Sequence, residues 1–219
     1  MIEIKELSKV FHKGQEKVVA LQKVSLHISE NTFTVIKGPS GSGKSSLLFS
    51  IGGMLRPTSG DVFLNGENLY QLTEASRRRK AAIAMGFVFQ SYHLLPYLTV
   101  TENILLQKRL PFLNIDRTYM NELIKKLRLD HRLNHKPSQL SVGEKQRVAM
   151  IRSLASQPKI ILADEPIGNL DPENAEIVLS FLDNFRQEGG TCIMVSHSSD
   201  ADAIASRVIH LREGMILSN

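Results

Sequence analysis

The sequence contains one cysteine, Cys192, so no disulfide can form within the chain. Cys192 lies in the apolar run 191–195, which favours a small core residue over a nucleophile. No apolar stretch approaches the roughly 20 residues that a membrane-spanning helix needs. The first five residues lack the charged and then apolar segments of a signal peptide. We therefore expect a soluble, cytoplasmic protein that reaches a membrane only through a partner.

The chain carries a net charge of +5, which suits polyanionic ligands such as nucleotide phosphates, nucleic acid or an anionic membrane face. An ordinary solvated surface explains the same charge equally well. The one basic run, 77–80, has no aromatic residues around it, whereas nucleic-acid surfaces usually combine basic and stacking side chains. We expect this run to be a solvated helix face, and we expect no nucleic-acid partner.

Short β-type runs at both ends of the chain enclose a long helical stretch. Residues 33–36 form a compact run of residues that favour β structure, and residues 160–163 form an apolar run without polar alternation, as in a parallel strand buried on both faces. Residues 91–159 are mostly helical in pattern, with one apolar stripe formed by Met120, Leu123, Ile124 and Leu127. The chain is therefore predicted to be α/β. We expect a single domain over 1–219, with core and β subdomain in 1–90 and 160–219 and a helical insertion in 91–159.

A glycine-rich segment connects the strand at 33–36 to a predicted helix. It consists of Gly38, Pro39, Ser40, Gly41, Ser42, Gly43, Lys44 and Ser45, followed by Ser46. This matches the P-loop pattern in its required strand–loop–helix context. Glycines let consecutive backbone N–H groups face phosphate oxygens, and the helix start adds positive potential. Lys44 is expected to reach the phosphates and Ser45 to ligate magnesium. An ordinary glycine-rich turn would not explain Lys44 and Ser45 at this spacing.

Two carboxylates, Asp164 and Glu165, follow the apolar strand at 160–163. They come at the strand end where ligands bind in open α/β sheets. Asp164 is predicted to hold magnesium, and Glu165 to orient or deprotonate an attacking water. Two solvated acids at a strand end are the alternative interpretation.

Further motifs identify the chain as resembling the ATP-binding subunits of ABC transporters. These are Leu140-Ser141-Val142-Gly143-Glu144 (similar to the family signature), Gln90 after Phe87-Val88-Phe89, Gly168-Asn169-Leu170-Asp171, His197 and Phe11. The resemblance is closest to the lipoprotein-release, macrolide-export and cell-division ATPases. It implies a P-loop NTPase fold with a mixed central sheet, an antiparallel β subdomain and an inserted helical subdomain.

The resemblance also implies roles for single residues. Phe11 would stack on adenine, Gln90 would ligate magnesium and take part in catalysis, and His197 would contact the γ-phosphate. The other three, Ser141, Gly143 and Asp171, would contact the ATP bound by a second copy of the chain. Valine at 142 stands where the family usually has glycine, which adds bulk beside the nucleotide.

Two of these motifs have a purely structural interpretation as well. Ser141 and Glu144 form a capping box, in which the serine accepts from the third backbone N–H and the glutamate bonds back to the cap. Asp171 followed by Pro172 is a typical helix start.

The function that the resemblance implies is that of an ATPase with ATP and Mg²⁺ as cofactors. It would form a homodimer on ATP binding and associate peripherally, through membrane permease subunits, with the cytoplasmic face of the cell membrane. Lipoprotein release or macrolide-type export is the first expectation, and force transmission without transport, as in cell division, is the alternative. A DNA-repair or translation ABC protein is disfavoured, because the chain has no heptad run and only one ATPase unit. The sequence also lacks the guanine motif of GTPases.

Overall fold

The computed structural model describes residues 1–14 and 16–217. The strands are β1 (Ile2–Lys13), β2 (Glu16–Ile28), β3 (Phe33–Lys37), β4 (Ser59–Leu64), β5 (Glu67–Asn68), β6 (Met85–Val88), β7 (Ile160–Asp164), β8 (Thr191–Val195), β9 (Arg207–Arg212) and β10 (Met215–Ile216). The α-helices are α1 (Lys44–Ile51), α2 (Glu74–Ala84), α3 (Val100–Ile104), α4 (Arg117–Lys126), α5 (Val142–Leu154) and α6 (Pro172–Gln187). Short 3-10 helices lie at Leu105–Arg109, Asp130–Arg132, Pro137–Gln139 and Asp200–Ile204.

The strands form two sheets. A four-stranded antiparallel sheet has the order β2-β1-β4-β5, and a six-stranded sheet has the order β10-β9-β3-β8-β7-β6. Strands β9, β3, β8, β7 and β6 run parallel, and only β10 is antiparallel to its neighbour. This confirms the predicted α/β fold with a mixed central sheet and an antiparallel β subdomain. Because the parallel strands share one carboxyl edge, the segments after β3, β6, β7 and β8 meet there.

Burial in the structure follows the apolar patterns of the sequence. Every residue of β7 and β8 is buried, as expected for central parallel strands. In β2 the buried Val24, Leu26 and Ile28 alternate with exposed neighbours. The apolar stripe of α4 and Leu127 is buried too. Cys192 is a buried core residue, and burial raises the pKa of its thiol.

The core consists of two apolar clusters, one on each side of the six-stranded sheet. One joins sheet residues such as Phe33 to helices α3 to α6, and the other joins Ile36 and its neighbours to α1 and the antiparallel sheet. Residues 91–159 contain α3, α4 and α5 and share the first cluster with α6. The division of the chain into subdomains at residues 91 and 159 stays a prediction.

The prediction that residues 77–80 form a solvated helix face was wrong at Arg77. Arg77 is buried in α2, its Nε donates to the Gly53 carbonyl at 3.1 Å, and its guanidinium lies 5.3 Å from the Tyr70 ring centroid. Arg78 and Arg79 are exposed. Four consecutive helical residues sweep about 300° around the axis, so a four-residue basic run must place one member toward the core.

Among residues 1–14 and 16–217, none of the helices combines the length and the apolar character that crossing a membrane requires.

Candidate active site

The glycine-rich loop follows β3 directly and ends where α1 begins, at Lys44. Gly43 has a φ of 101°, in the left-handed region, and a Cβ there would lie 2.1 Å from the carbonyl oxygen of Ala20. A Cβ on Gly38 would lie 2.0 Å from the carbonyl oxygen of Leu211. The loop is therefore wedged between β2 and β9 at positions that accept only glycine.

The C-terminal hairpin fastens this loop. The Gly214 N–H donates to the Ser42 carbonyl at 3.0 Å, and the Gln22 N–H donates to the Gly214 carbonyl at 2.8 Å. The hairpin thus connects the loop to β2. Ser42 itself is buried, and its Oγ has no hydrogen-bond partner among the described residues. A buried hydroxyl without a partner fits a loop whose hydrogen bonds are completed by a ligand.

Lys44 is the buried cation of the site. Its Nζ donates to the carbonyls of Gly38 and Pro39, at 2.8 and 2.9 Å, and so lies across the mouth of the loop. Burial lowers the pKa of Lys44, while the carboxylates of Glu165 and Asp164 act in the opposite direction. An anion in the loop would replace these carbonyl contacts by stronger, charge-assisted ones.

Ser45 and Asp164 meet across the gap between α1 and β7. The Ser45 hydroxyl donates to Asp164 Oδ1 at 2.9 Å. Burial raises the pKa of Asp164, the Ser45 hydrogen bond lowers it, Glu165 raises it and Lys44 lowers it. Hydroxyl and carboxylate oxygens are the hard ligands that Mg²⁺ prefers, and this ion usually completes its shell with waters and substrate phosphates. The pair fits a magnesium site. Within the described ranges, no group of three or more His, Cys, Asp or Glu side chains could hold a metal ion by itself. A magnesium ion at this pair would therefore need further ligands from water and phosphate.

Glu165 joins the segments that follow β6, β7 and β8. Its Oε1 lies 2.9 Å from His197 Nε2, and its Oε2 accepts from Gln90 Nε2 at 3.3 Å. Its φ is 46°, in the left-handed region that is unfavourable for a glutamate. The N–H of Glu165 donates to the Val195 carbonyl at 3.0 Å, which holds this backbone in place. Strained backbone of this kind is common where a side chain must be aimed at a substrate.

The predicted signature motif begins helix α5. Ser141 is its N-cap, and the structure contains both halves of the predicted capping box. The Glu144 N–H donates to Ser141 Oγ at 3.2 Å, and the Ser141 N–H donates to Glu144 Oε2 at 2.7 Å. Glu144 Oε1 also accepts from Arg132 Nε at 2.7 Å. Val142, at the first position of α5, is 45% exposed. The motif's glutamate therefore anchors the helix start, whereas Ser141 and Val142 face outward.

Asp171 is the N-cap of α6, as its sequence context predicted. Its Oδ1 accepts from the Asn174 N–H at 2.9 Å, and Pro172 occupies the first helical position. Phe11, the predicted adenine platform, is 40% exposed on β1 opposite Val18, and Lys9 Nζ lies 5.0 Å from its ring centroid. An exposed aromatic side chain of this kind is available for stacking.

The structure brings some of the predicted site residues together and keeps others apart. Lys44, Ser45, Asp164 and Glu165 share one carboxyl edge with Gln90 and His197. In the part of the chain that the structure describes, no hydrogen bond links Ser141, Gly143 or Asp171 to residues 38–46.

Three residues of this region were not found by sequence reasoning. Arg132 holds Glu144 at 2.7 Å, and Asn174 contacts Asp171. Arg152 donates to the carbonyls of His93 and Tyr92, both at 2.6 Å, just after Gln90. Each lies 12 or more residues from its partner or in an ordinary helical pattern, so no local sequence signal identifies it.

Comparison with known proteins agrees with this geometry. Residues 21–168, more than half of the chain, match the family model described as ABC transporter. The ABC transporter ATP-binding protein MJ1508 of Methanocaldococcus jannaschii is 43% identical, over 99% of this chain and 98% of the relative. The lipoprotein-releasing system ATP-binding protein LolD 1 of Caulobacter vibrioides is 39% identical, over 100% of this chain and 95% of the relative. The macrolide export ATP-binding/permease protein MacB of Chlorobium luteolum is 40% identical, but this chain spans only 33% of it.

Two solved structures also match the whole of this chain. The dimeric structure of MJ0796, a bacterial ABC transporter cassette, is 36% identical and matches with a TM-score of 0.93 over 100% of this chain and 97% of that one. A second MJ0796 structure, of a dimeric post-hydrolysis state bound to ADP and Pi, is 35% identical and has a TM-score of 0.92 over the same shares. The P-loop, the paired carboxylates and the sheet order thus have one explanation: the chain belongs to the ABC transporter family and is an ATP-binding, ATP-hydrolysing member of it.

Proposed function

We propose that this chain is the ATPase subunit of a membrane transport complex and that two copies enclose two ATP molecules. The observation that carries the proposal is the division of the site residues. Lys44, Ser45, Asp164 and Glu165 form one half-site, whereas Ser141 and Asp171 cap helices that make no hydrogen bond to residues 38–46 in the described part of the chain. A second copy supplies the missing half.

ATP binding uses the loop and the hairpin tip of the antiparallel sheet. Backbone N–H groups of the loop and of the start of α1, including those of Gly41 and Ser46, surround the phosphates, and Lys44 exchanges its loop carbonyls for phosphate oxygens. Phe11 stacks on the adenine ring. Phe11 pairs with Val18 on β2, two residues before Ala20. The Ala20 carbonyl lies next to Gly43, so the aromatic ring and the loop are close to the same part of β2.

Ser45 and Asp164 would hold magnesium, and Gln90 would be the third protein ligand. When bound, magnesium neutralises phosphate charge and orients the γ-phosphate. Gln90 Nε2 also donates to Glu165 Oε2 at 3.3 Å, so this proposed ligand is connected to the catalytic carboxylate.

Hydrolysis is an in-line attack of water on the γ-phosphorus. Glu165 orients the water and accepts its proton, while the bond between the γ-phosphorus and the β–γ bridging oxygen breaks and ADP leaves with that electron pair. Lys44 and His197 stabilise the charge that develops on the phosphoryl oxygens. The contact of His197 with Glu165 holds both side chains at the same edge before ATP arrives.

The second copy completes the site with the starts of α5 and α6. A helix N-terminus presents free N–H groups and positive potential to an anion. Ser141 and Gly143 of the partner copy meet the γ-phosphate, and Asp171 lies beside them. Hydrolysis removes the γ-phosphate that joins the copies, and the dimer opens.

A cleft of about 620 Å³ between α2, β6 and residues 107–113 is the proposed contact with the membrane permease. Its walls include Phe87, Phe89 and the Arg152 side chain. The rings of Phe87 and Phe89 are stacked, with 4.9 Å between their centroids. An amphipathic cytoplasmic segment of the permease, with an apolar face and acidic residues, matches these walls. Phe89 is next to Gln90, so occupation of the cleft can influence the catalytic carboxylate.

The relatives named for lipoprotein release and macrolide export suggest the class of cargo. We propose an amphipathic or lipid-like cargo handled by the permease at the membrane, with this chain at the cytoplasmic face. A cell-division type of complex, which transmits force without transport, is the second candidate, and the resemblance of the sequence to that group favours it.

Mixing two inactive variants tests the shared site. Lys44→Ala removes the phosphate cation, and Ser141→Ala removes the cap of the partner-facing helix. Each variant alone should be inactive, whereas the mixture should regain ATPase activity from the mixed dimers that contain one intact site. Glu122→Gln, on an exposed face of α4, serves as a neutral control. A mixture as inactive as its components would contradict the proposal.

A further inference from the structure

Asn174 joins the starts of the two helices that the proposed dimer presents to its partner. It lies in the first turn of α6, and its side-chain Nδ2 donates to Asp171 Oδ2 at 2.7 Å. Its Oδ1 accepts from the NH1 group of Arg147, which lies in α5. One amide side chain therefore bonds to the cap of α6 with its donor and to α5 with its acceptor.

The start of α5 also packs directly on this amide. A Cβ on Gly143 would lie 2.2 Å from Asn174 Oδ1 and 2.4 Å from Asn174 Cγ, so a side chain at residue 143 would have to displace the Asn174 amide. Gly143 is buried and Asn174 half-buried. Because Gly143 follows Ser141 by two residues, Asn174 determines how far the Ser141 end of α5 lies from Asp171.

We propose that Asn174 is a positioning residue that holds Asp171 and the Ser141 end of α5 as one unit, so that a subunit presents both to its partner's nucleotide together. This inference rests on the proposed two-copy site. Arg147 contributes a charge-assisted hydrogen bond, which is stronger than a neutral one and makes Asn174 difficult to displace.

The positioning role can be separated from a role in folding. Asn174→Ala removes the two side-chain bonds but keeps the backbone N–H of residue 174, which donates to Asp171 Oδ1 and completes the N-cap. Alanine also has a higher helix propensity than asparagine. The variant is therefore expected to keep α6, and Asn184→Ala, an exposed position on the same helix, is the matched control.

The test uses mixed dimers that have one working site. The Lys44→Ala subunit contributes its Ser141 end, and the Ser141→Ala subunit contributes its P-loop. Asn174→Ala placed in the first subunit should lower the ATPase rate about tenfold, which corresponds to about 1.4 kcal/mol, the order of magnitude of one hydrogen bond to a charged group. The same substitution in the second subunit alters only the end that is already disabled and should leave the rate unchanged.

The position of the substitution decides between the explanations. Equal losses in both placements would mean that Asn174 has a general structural role, and no loss in either would mean that the link is dispensable. Either result would overturn the inference, provided that the mixed dimer without Asn174→Ala is active. If that parent mixture is inactive, the two-copy site itself is wrong and the inference falls with it.

A double-mutant cycle in the homodimer gives an independent measurement. Gly143→Ala should be damaging in the native background, because its Cβ meets the Asn174 amide. In the Asn174→Ala background that contact is absent, so Gly143→Ala should cost less ATPase activity there. Residues in contact show such non-additivity, and fully additive effects would contradict the proposed link.

Discussion

His197 Nε2 lies 2.9 Å from Glu165 Oε1, although 32 residues separate them along the chain. Gln90 holds the other carboxylate oxygen at 3.3 Å. The carboxylate that we assign as the base is thus oriented from both sides by residues that follow two other parallel strands. This arrangement leads to predictions about the chemistry, the electrostatics and the stability of the site.

Glu165→Gln is expected to lower the ATPase rate by about 10²–10⁴-fold, because the amide keeps the shape of the carboxylate but cannot accept the proton from water. ATP binding should persist, so dimers should accumulate with ATP. Steady-state ATPase assays and light scattering measure both effects. Glu122→Gln should change neither of them. A Glu165→Gln variant with native turnover would exclude Glu165 as the base.

Asp164→Asn is expected to raise the thermal stability of the nucleotide-free protein at neutral pH. Burial raises the pKa of Asp164 above that of the unfolded chain, so its ionisation opposes folding and stability falls as the pH rises through the interval between the two pKa values. A gain of about 1 kcal/mol would raise the Tm by about 2–4 °C. The difference from the native protein should shrink as the pH approaches the ordinary carboxyl range. A Tm difference between variant and native protein that grows toward low pH would contradict the expected pH dependence. Mg²⁺-dependent ATPase activity of Asp164→Asn should be lost at every pH.

Phe11→Ala is expected to weaken ATP binding about 5-fold or more, because stacking of a base on an aromatic ring contributes about 1–3 kcal/mol. Phe11→Tyr retains the ring and should retain the affinity. Titration with a fluorescent ATP analogue gives the Kd values, and Val19→Ala, on the neighbouring strand, is an exposed control. Equal affinities of the alanine and tyrosine variants would rule out stacking by Phe11.

Gln146→Met is expected to stabilise the protein by about 1–3 kcal/mol, since a buried amide without partners loses its hydration without compensation. Gln146 is fully buried in α5, and neither polar atom of its side chain has a hydrogen-bond partner among the described residues. Denaturant unfolding measures the change, with the exposed Gln71→Met as control. Destabilisation would show that the amide is hydrogen-bonded, for example to a buried water.

Most of the half-site could be predicted because its signals are local. The residue types from Gly38 to Ser45 specify the turn, and the P-loop pattern that they match predicts a phosphate ligand. The apolar strand before Asp164 likewise predicts where the two carboxylates lie. Arg77 shows the limit of this approach, because its charge predicted exposure while its position on α2 placed it against Gly53 and Tyr70.

The amino-acid sequence by itself determined the phosphate loop, the acidic strand end and the helix caps at Ser141 and Asp171, because each depends on residues that are close together in the chain. It also determined the α/β class, through the order of β-type and helical patterns along the chain. Only the tertiary structure decided which distant groups meet. Glu165 contacts Gln90 and His197 because the sheet order brings together strands that are distant in the sequence. Asn174 contacts Arg147 because α6 packs against α5. Side-chain contacts of this kind arise from packing across the whole domain, and no periodicity or short motif encodes them.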